Sequence, residues 1–165
     1  MKERIKERII DVRWEGSFPL GQRRKADYLK KKCYVLYALF GTHHLYGQQA
    51  LLYIGRTEVN LKKRLVGHLP WIKDEFDEMK LKVASVREFS NIKAWRDTWD
   101  PDSPYGPANA ELVKDVEALL IYAHQTAYNT QGKNSLILSK GHVRIFNTGK
   151  SGLLLPEVSS AYYEE

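Results

Sequence analysis

The sequence predicts an α/β domain of the α+β kind: a small central antiparallel sheet of about three strands flanked by helices, with an additional C-terminal hairpin. Three observations predict it. Two runs rich in aromatic and branched residues, Tyr34 to Phe40 and Ala50 to Ile54, flank a Gly- and His-containing turn and read as a hairpin. A further run, Leu81 to Phe89, reads as a third strand although Val83 and Val86 break strict alternation. Two stretches carry helical spacing: Leu61, Leu65 and Leu69 fall four apart, and Leu112, Val116, Leu119 and Ala123 form one stripe.

A chain of 165 residues, 43% of them hydrophobic, is long enough for one domain with a core of its own. The single cysteine, Cys33, excludes an internal disulfide framework and points to a reducing compartment. The first residues are too charged for a signal peptide, and no apolar run approaches membrane-spanning length, so the expectation is a soluble cytoplasmic protein without a membrane partner. The net charge of +6 is unevenly placed: residues 1–33 hold 11 Lys and Arg against 5 Asp and Glu, and the rest of the chain balances. This divides the chain into a basic N-terminal arm, 1–33, and a main domain, 34–165. Arg23-Arg24-Lys25 and Lys30-Lys31-Lys32 would attract phosphates without regard to sequence; a leader that only keeps the protein soluble is the alternative.

In the arm, Ile5, Ile9 and Val12 have the spacing of an amphipathic helix, and Gly16-Ser17-Phe18-Pro19 breaks it. Residues 21–32 are either a second short helix or an extended arm. In Tyr34 to Phe40 a period of two puts Tyr34, Leu36, Ala38 and Phe40 on one face and Val35, Tyr37 and Leu39 on the other. His43 and His44 are read as surface residues, because adjacent side chains on a loop seldom converge on one ion. Asn60 caps the next helix, on which Arg64 and His68 share a stripe. Pro70-Trp71 ends it, and Ile72, Phe76 and Met79 suggest a short second helix.

Residues 90–108 form an insertion of Trp, Asp, Pro and Gly without periodicity, expected as a functional loop carrying Trp95, Trp99 and Tyr105 toward DNA or a second subunit. Asn109 then caps a helix running to about Gln125. Glu117 lies beside its apolar stripe, where a carboxylate is costly unless a cation meets it; an ion pair and a metal satisfy that need equally. Leu136-Ile137-Leu138, Ser139-Lys140-Gly141 and Val143 to Phe146 read as a hairpin over 135–147. Its Lys140 and Arg144 suit either a phosphate backbone or an ordinary solvated edge.

Tyr53-Ile54-Gly55, then Arg56-Thr57, Asn60-Leu61-Lys62-Lys63-Arg64-Leu65 and His68, resemble the second half of the signature of the GIY-YIG nuclease superfamily. Val35-Leu36-Tyr37 is similar to the first half, with valine and leucine for the usual glycine and isoleucine and the motif tyrosine kept. Val116-Glu117-Ala118-Leu119-Leu120-Ile121 followed by Ala127-Tyr128-Asn129 is similar to the family's metal-binding helix and closing asparagine. Thr126 stands where the excision-repair nuclease of the family has proline. The steps from Arg64 to His68 and from Glu117 to Asn129 look like those of its type II restriction endonucleases.

The resemblance implies a metal-dependent endonuclease that hydrolyses DNA phosphodiester bonds, of the restriction type, with repair, recombination and mobile-element nucleases as alternatives in the same class. A DNA-binding module without catalysis is the rival from another class, and a homodimer is left open. It implies that Glu117 is the one protein ligand of Mg2+, with Mn2+ also suited. Tyr37 would activate the attacking water, as a base or by orienting it; a free phenol loses its proton at about pH 10, so a base role needs nearby cations. Arg64 would bind the scissile phosphate. His68 would hydrogen-bond Tyr37 or carry a proton, Tyr53 would bond in the same pocket, Arg56 would add a second cation and Asn129 would brace the site. Gly55 is assigned to a close turn between strand and helix.

Overall fold

Alternation, not helical periodicity, organises the N-terminal segment. Ile10, Val12 and Trp14 enter one core and Asp11, Arg13 and Glu15 point the opposite way, so residues expected to form an amphipathic helix are strand β1 (Glu7–Pro19). The computed structural model describes residues 6–20, 30–58, 60–67, 79–98, 100 and 104–164. The remaining elements are β2 (Leu36–His43), β3 (Gly47–Arg56), α1 (Leu61–Gly67), β4 (Lys80–Phe89), α2 (Ile92–Thr98), α3 (Ala110–His124), β5 (His142–Gly149) and β6 (Glu157–Ser159). The helix expected from Ile72 lies outside the described residues except for Met79.

The strands form one curled mixed sheet in the order β3-β2-β4-β1-β5-β6. Its β1–β5 pair is parallel and the other pairs are antiparallel. The expected sheet of about three antiparallel strands is therefore corrected to six, with sheet predominating over helix. The physical reason is that β1, charged on one face, supplies a central strand that joins β4 to β5.

Gly16 lies inside β1 and does not end it. The register against β4 shifts between Glu15 and Phe18, and Gly16 takes φ +114. A Cβ there would come within 2.8 Å of the Leu81 carbonyl oxygen, so this bulge needs glycine. The expected C-terminal hairpin is also corrected. β5 has both edges occupied, by β1 and β6, which leaves 136–138 no strand to pair with. Leu136 and Leu138 pack on the core instead, and Ser139 is held through its N–H by Asp115 at 2.8 Å.

The sheet buries both faces. On one, Leu112, Val116, Leu119 and Leu120 of α3 pack over Val12, Trp14, Leu36, Ala38, Ile54 and Ala84. On the other, Leu61 and Leu65 of α1 pack over Tyr37, Leu39, Leu81 and Val83. The caps are those expected: Asn60 Oδ1 accepts from Lys63 N at 3.0 Å, and Asn109 Oδ1 from Glu111 N at 2.8 Å. β2 starts at Leu36, so Leu36, Ala38 and Phe40 face α3 and Tyr37 and Leu39 face α1 as alternation requires. Tyr34 and Val35 precede the strand and exchange the faces expected of them.

The segment expected to be a functional loop contains α2, capped by Asn91 Oδ1 accepting from Ala94 N at 2.8 Å. It covers the part of the sheet that α1 leaves open. The Trp95 ring stacks on Phe146 with centroids 4.3 Å apart and planes 11° apart. The Tyr105 N–H donates to Ser85 Oγ at 2.9 Å, and its hydroxyl donates to Asp11. Asp11 and Arg13, 0% and 2% exposed, are thereby enclosed in a polar layer that Thr148 completes with a 2.7 Å hydrogen bond to Asp11. No described helix is long and apolar enough to cross a membrane.

Candidate active site

Register places Tyr37 of β2 opposite Gly55 of β3. A Cβ on Gly55 would lie 2.5 Å from both Cζ and Oη of Tyr37 and 2.8 Å from Cε1. Gly55 is thus the floor on which the phenol lies, inside the strand; this replaces the turn role assigned from sequence. Tyr53, two residues earlier on β3, stacks on the same ring with centroids 5.9 Å apart and planes 29° apart.

Arg64 reaches this pair from α1, whose Leu61 and Leu65 anchor it on the sheet. The phenol oxygen of Tyr37 is the first cause raising the Arg64 pKa. The contact falls short of a regular hydrogen bond: Tyr37 Oη and Arg64 Nε are both buried without a hydrogen-bond partner among the described residues. Burial, then the neighbouring Tyr53, pushes the Tyr37 pKa well above the ordinary phenol range, and Arg64 only partly opposes this. The proton therefore stays on Tyr37 at neutral pH.

Glu117 projects from α3 toward the end of β3. Arg56, the last residue of that strand, donates Nε to Glu117 Oε2 at 2.8 Å and Nη1 to Glu58 Oε1 at 2.9 Å. The cation that a carboxylate beside an apolar stripe requires is thus Arg56. Burial raises the Glu117 pKa, and Arg56 followed by Arg64 opposes the rise. Arg64 acts electrostatically on Tyr37, Tyr53 and Glu117, bringing residues from β2, β3 and α3 under one guanidinium.

Asn129 is a brace. It is 8% exposed; its Oδ1 accepts from Ile54 N and its Nδ2 donates to Ile54 O, each at 2.9 Å. Thr126, which replaces the proline of the excision-repair pattern, donates its hydroxyl to Asn129 Oδ1. Tyr128 N donates to Leu52 O at 2.7 Å, so the chain after α3 is laced along β3 next to Tyr53 and Gly55.

The other candidates disperse. His68, Arg23, Arg24 and Lys25 lie outside the described residues. Lys140 is 71% exposed and lies 3.8 Å from Glu111. Arg144 is drawn into the sheet's own ion pairs, donating to Glu7 at 2.7 Å and to Glu157, with its pKa raised first by Glu7. Sequence reading missed the enclosed Asp11 and Arg13, for which alternation through residues 10–15 was the available signal, and Tyr105, expected toward DNA or a second subunit, covers them instead.

Among the described residues no three of His, Cys, Asp and Glu group to hold a metal ion. A divalent cation at this site would rest on Glu117 as its protein ligand, with water and phosphate oxygens supplying the rest, an arrangement that suits magnesium. In this structure one oxygen of the Glu117 carboxylate is held by Arg56, which pairs at the same time with Glu58. No family model, curated protein or solved structure matches the chain.

Proposed function

We propose that the chain is a metal-dependent endonuclease that hydrolyses DNA phosphodiester bonds, of the GIY-YIG type and with restriction-type cleavage as its role. One observation carries the reading. Tyr37 Oη and Arg64 Nε are each buried without a hydrogen-bond partner among the described residues, and Arg64 acts electrostatically on both Tyr37 and Glu117. Buried polar atoms are nearly always paired, so such a pair suits a phosphate oxygen or an attacking water.

In this reading Arg64 binds the phosphate and stabilises the charge that grows on its oxygens. Tyr37 keeps its proton and orients the water whose oxygen forms the new bond to phosphorus as the bond to a sugar oxygen breaks; the water's proton passes to solvent, and the departing sugar oxygen takes one from it. Tyr53 and Gly55 fix the Tyr37 ring, and Asn129 fixes β3 beneath them. A magnesium or manganese ion bound by Glu117 would supply Lewis-acid charge to the phosphate.

The second reading, a DNA-binding module without catalysis, is favoured by the ion pair that already occupies Glu117. Glu117→Gln separates the two. It keeps the shape and removes the charge, at a cost of about 1–3 kcal/mol for the lost charged hydrogen bond. Plasmid nicking in magnesium, DNA affinity in chelator and melting are measured on parent and variant together. Loss of nicking with retained DNA affinity is expected; nicking at the parental rate refutes the enzyme reading.

A further inference from the structure

At the far end of the β2–β3 hairpin from Gly55 lies a pocket of about 440 Å³, within the range of small-ligand sites. Gly41, in its wall, is four residues beyond Tyr37 along β2, roughly 13 Å at strand rise. Its lining residues include several that carry donors: Lys80, Lys82, Ser17, Thr42, Gln48 and Gln49. Among the described residues no carboxylate lines it.

The charge in this wall has no carboxylate partner among the described residues. Among the described residues, Lys80, Lys82 and the neighbouring Lys150 form no ion pair. Lys82 is nonetheless held in place, donating Nζ to Lys150 O at 2.6 Å and lying over the Phe40 ring at 5.9 Å. Gly152 lets the chain close over it, since a Cβ there would come within 3.2 Å of Lys82 Cε. Burial first and Lys150 second lower the Lys82 pKa, as expected of an ammonium group that has lost water and gained a like charge. On the rim, Gln49 holds a positive φ of 54, a conformation uncommon for a residue with a side chain.

We propose that this pocket binds a phosphate ester, with the phosphate on Lys80, Lys82 and Thr42 and the organic part against Phe40 and Leu153. A phosphate supplies the charge that two ammonium groups lack, and the volume exceeds what a bare ion fills. The ester belongs either to a free nucleotide or to a nucleic-acid strand. The site stands apart from Tyr37, Arg64 and Glu117 and does not depend on the nuclease reading.

The test is titration of the isotope-labelled full chain, in chelator, with deoxyadenosine monophosphate, unphosphorylated deoxyadenosine and a short single-stranded oligonucleotide. Saturable shifts centred on residues 41–42, 48–49 and 80–82 are expected with the monophosphate or the oligonucleotide and not with deoxyadenosine. Shifts with the oligonucleotide alone identify a strand phosphate as the source. Lys80→Glu should weaken binding at least about tenfold, the loss expected for one charge-assisted contact, and Lys150→Glu, beside Lys82 but outside the pocket wall, should weaken it by less. Lys80 and Lys150 are both exposed and form no ion pair among the described residues, so melting should not change. The proposal is overturned if neither phosphorylated probe saturates the pocket, if deoxyadenosine binds as tightly, or if both charge reversals leave affinity unchanged.

Discussion

Gly55→Ala tests the geometry of the candidate site without reference to activity. The added Cβ would stand 2.5 Å from Tyr37 Cζ and Oη, where carbon atoms ordinarily rest about 3.5–4.0 Å apart, so the ring must move by roughly 1 Å or more. Tyr37 is 0% exposed and packed among Leu39, Leu61 and Val83, and the displacement overpacks that cluster. Overpacking of this kind costs about 1–3 kcal/mol. At about 2–4 °C per kcal/mol for a domain of this size, melting should fall by roughly 2–12 °C. Tyr37→Leu removes the three atoms that the Cβ would strike, so the second arm of the experiment is Gly55→Ala in that background. There the cost should shrink below about 0.5 kcal/mol, and the double-mutant cycle isolates the ring contact. An equal cost of Gly55→Ala in both backgrounds would refute the account of Gly55 as the floor of the phenol.

Asp11→Ala should lower stability by about 1–3 kcal/mol in urea unfolding, because it leaves the enclosed Tyr105 and Thr148 hydroxyls without their acceptor; a loss below about 0.5 kcal/mol would contradict the enclosed network. His124 should make the fold acid-sensitive. Its Nδ1 donates to Leu120 O at 2.8 Å and its Nε2 accepts from Leu155 N at 2.9 Å, and burial holds its pKa below the ordinary value. The unfolded chain then binds the proton more readily, so this stability is present above about pH 6.5 and is lost as pH falls toward the lowered folded value. Melting curves between pH 8 and 5 should show the parent losing more than His124→Gln below that point; parallel curves would remove His124 as the cause.

Local signals carried α3, the β2–β3 hairpin and β4. A cap at Asn109, an apolar stripe and the alternation at Tyr37 each depend on neighbours in sequence, and each reads correctly. Glu117 was legible as a carboxylate in need of a cation, since the requirement follows from its apolar flank. Its partner Arg56 was visible only as a second positive charge. β1 was hidden because Asp11 and Arg13 look solvated until Tyr105 is known to cover them from a segment 94 residues away from Asp11. The parallel pairing of β5 with β1 likewise leaves no mark in either segment. α2 carried a cap signal in Asn91 that the surrounding Trp, Asp, Pro and Gly obscured.

The place of β1 between β4 and β5 fixes an order of completion for the molecule. Ile10 is matched with Glu88 on one side and with Ile145 on the other. During synthesis β1 therefore waits for β5, more than a hundred residues later, with Ile10, Val12 and Trp14 lacking part of their cover in the interval. Long closures of this kind slow folding, and an unpaired strand is a template for a neighbouring chain. A chain ending before residue 142 would not be a smaller edition of this domain. It would be a sheet with an open, apolar inner edge, prone to take its missing strand from another copy.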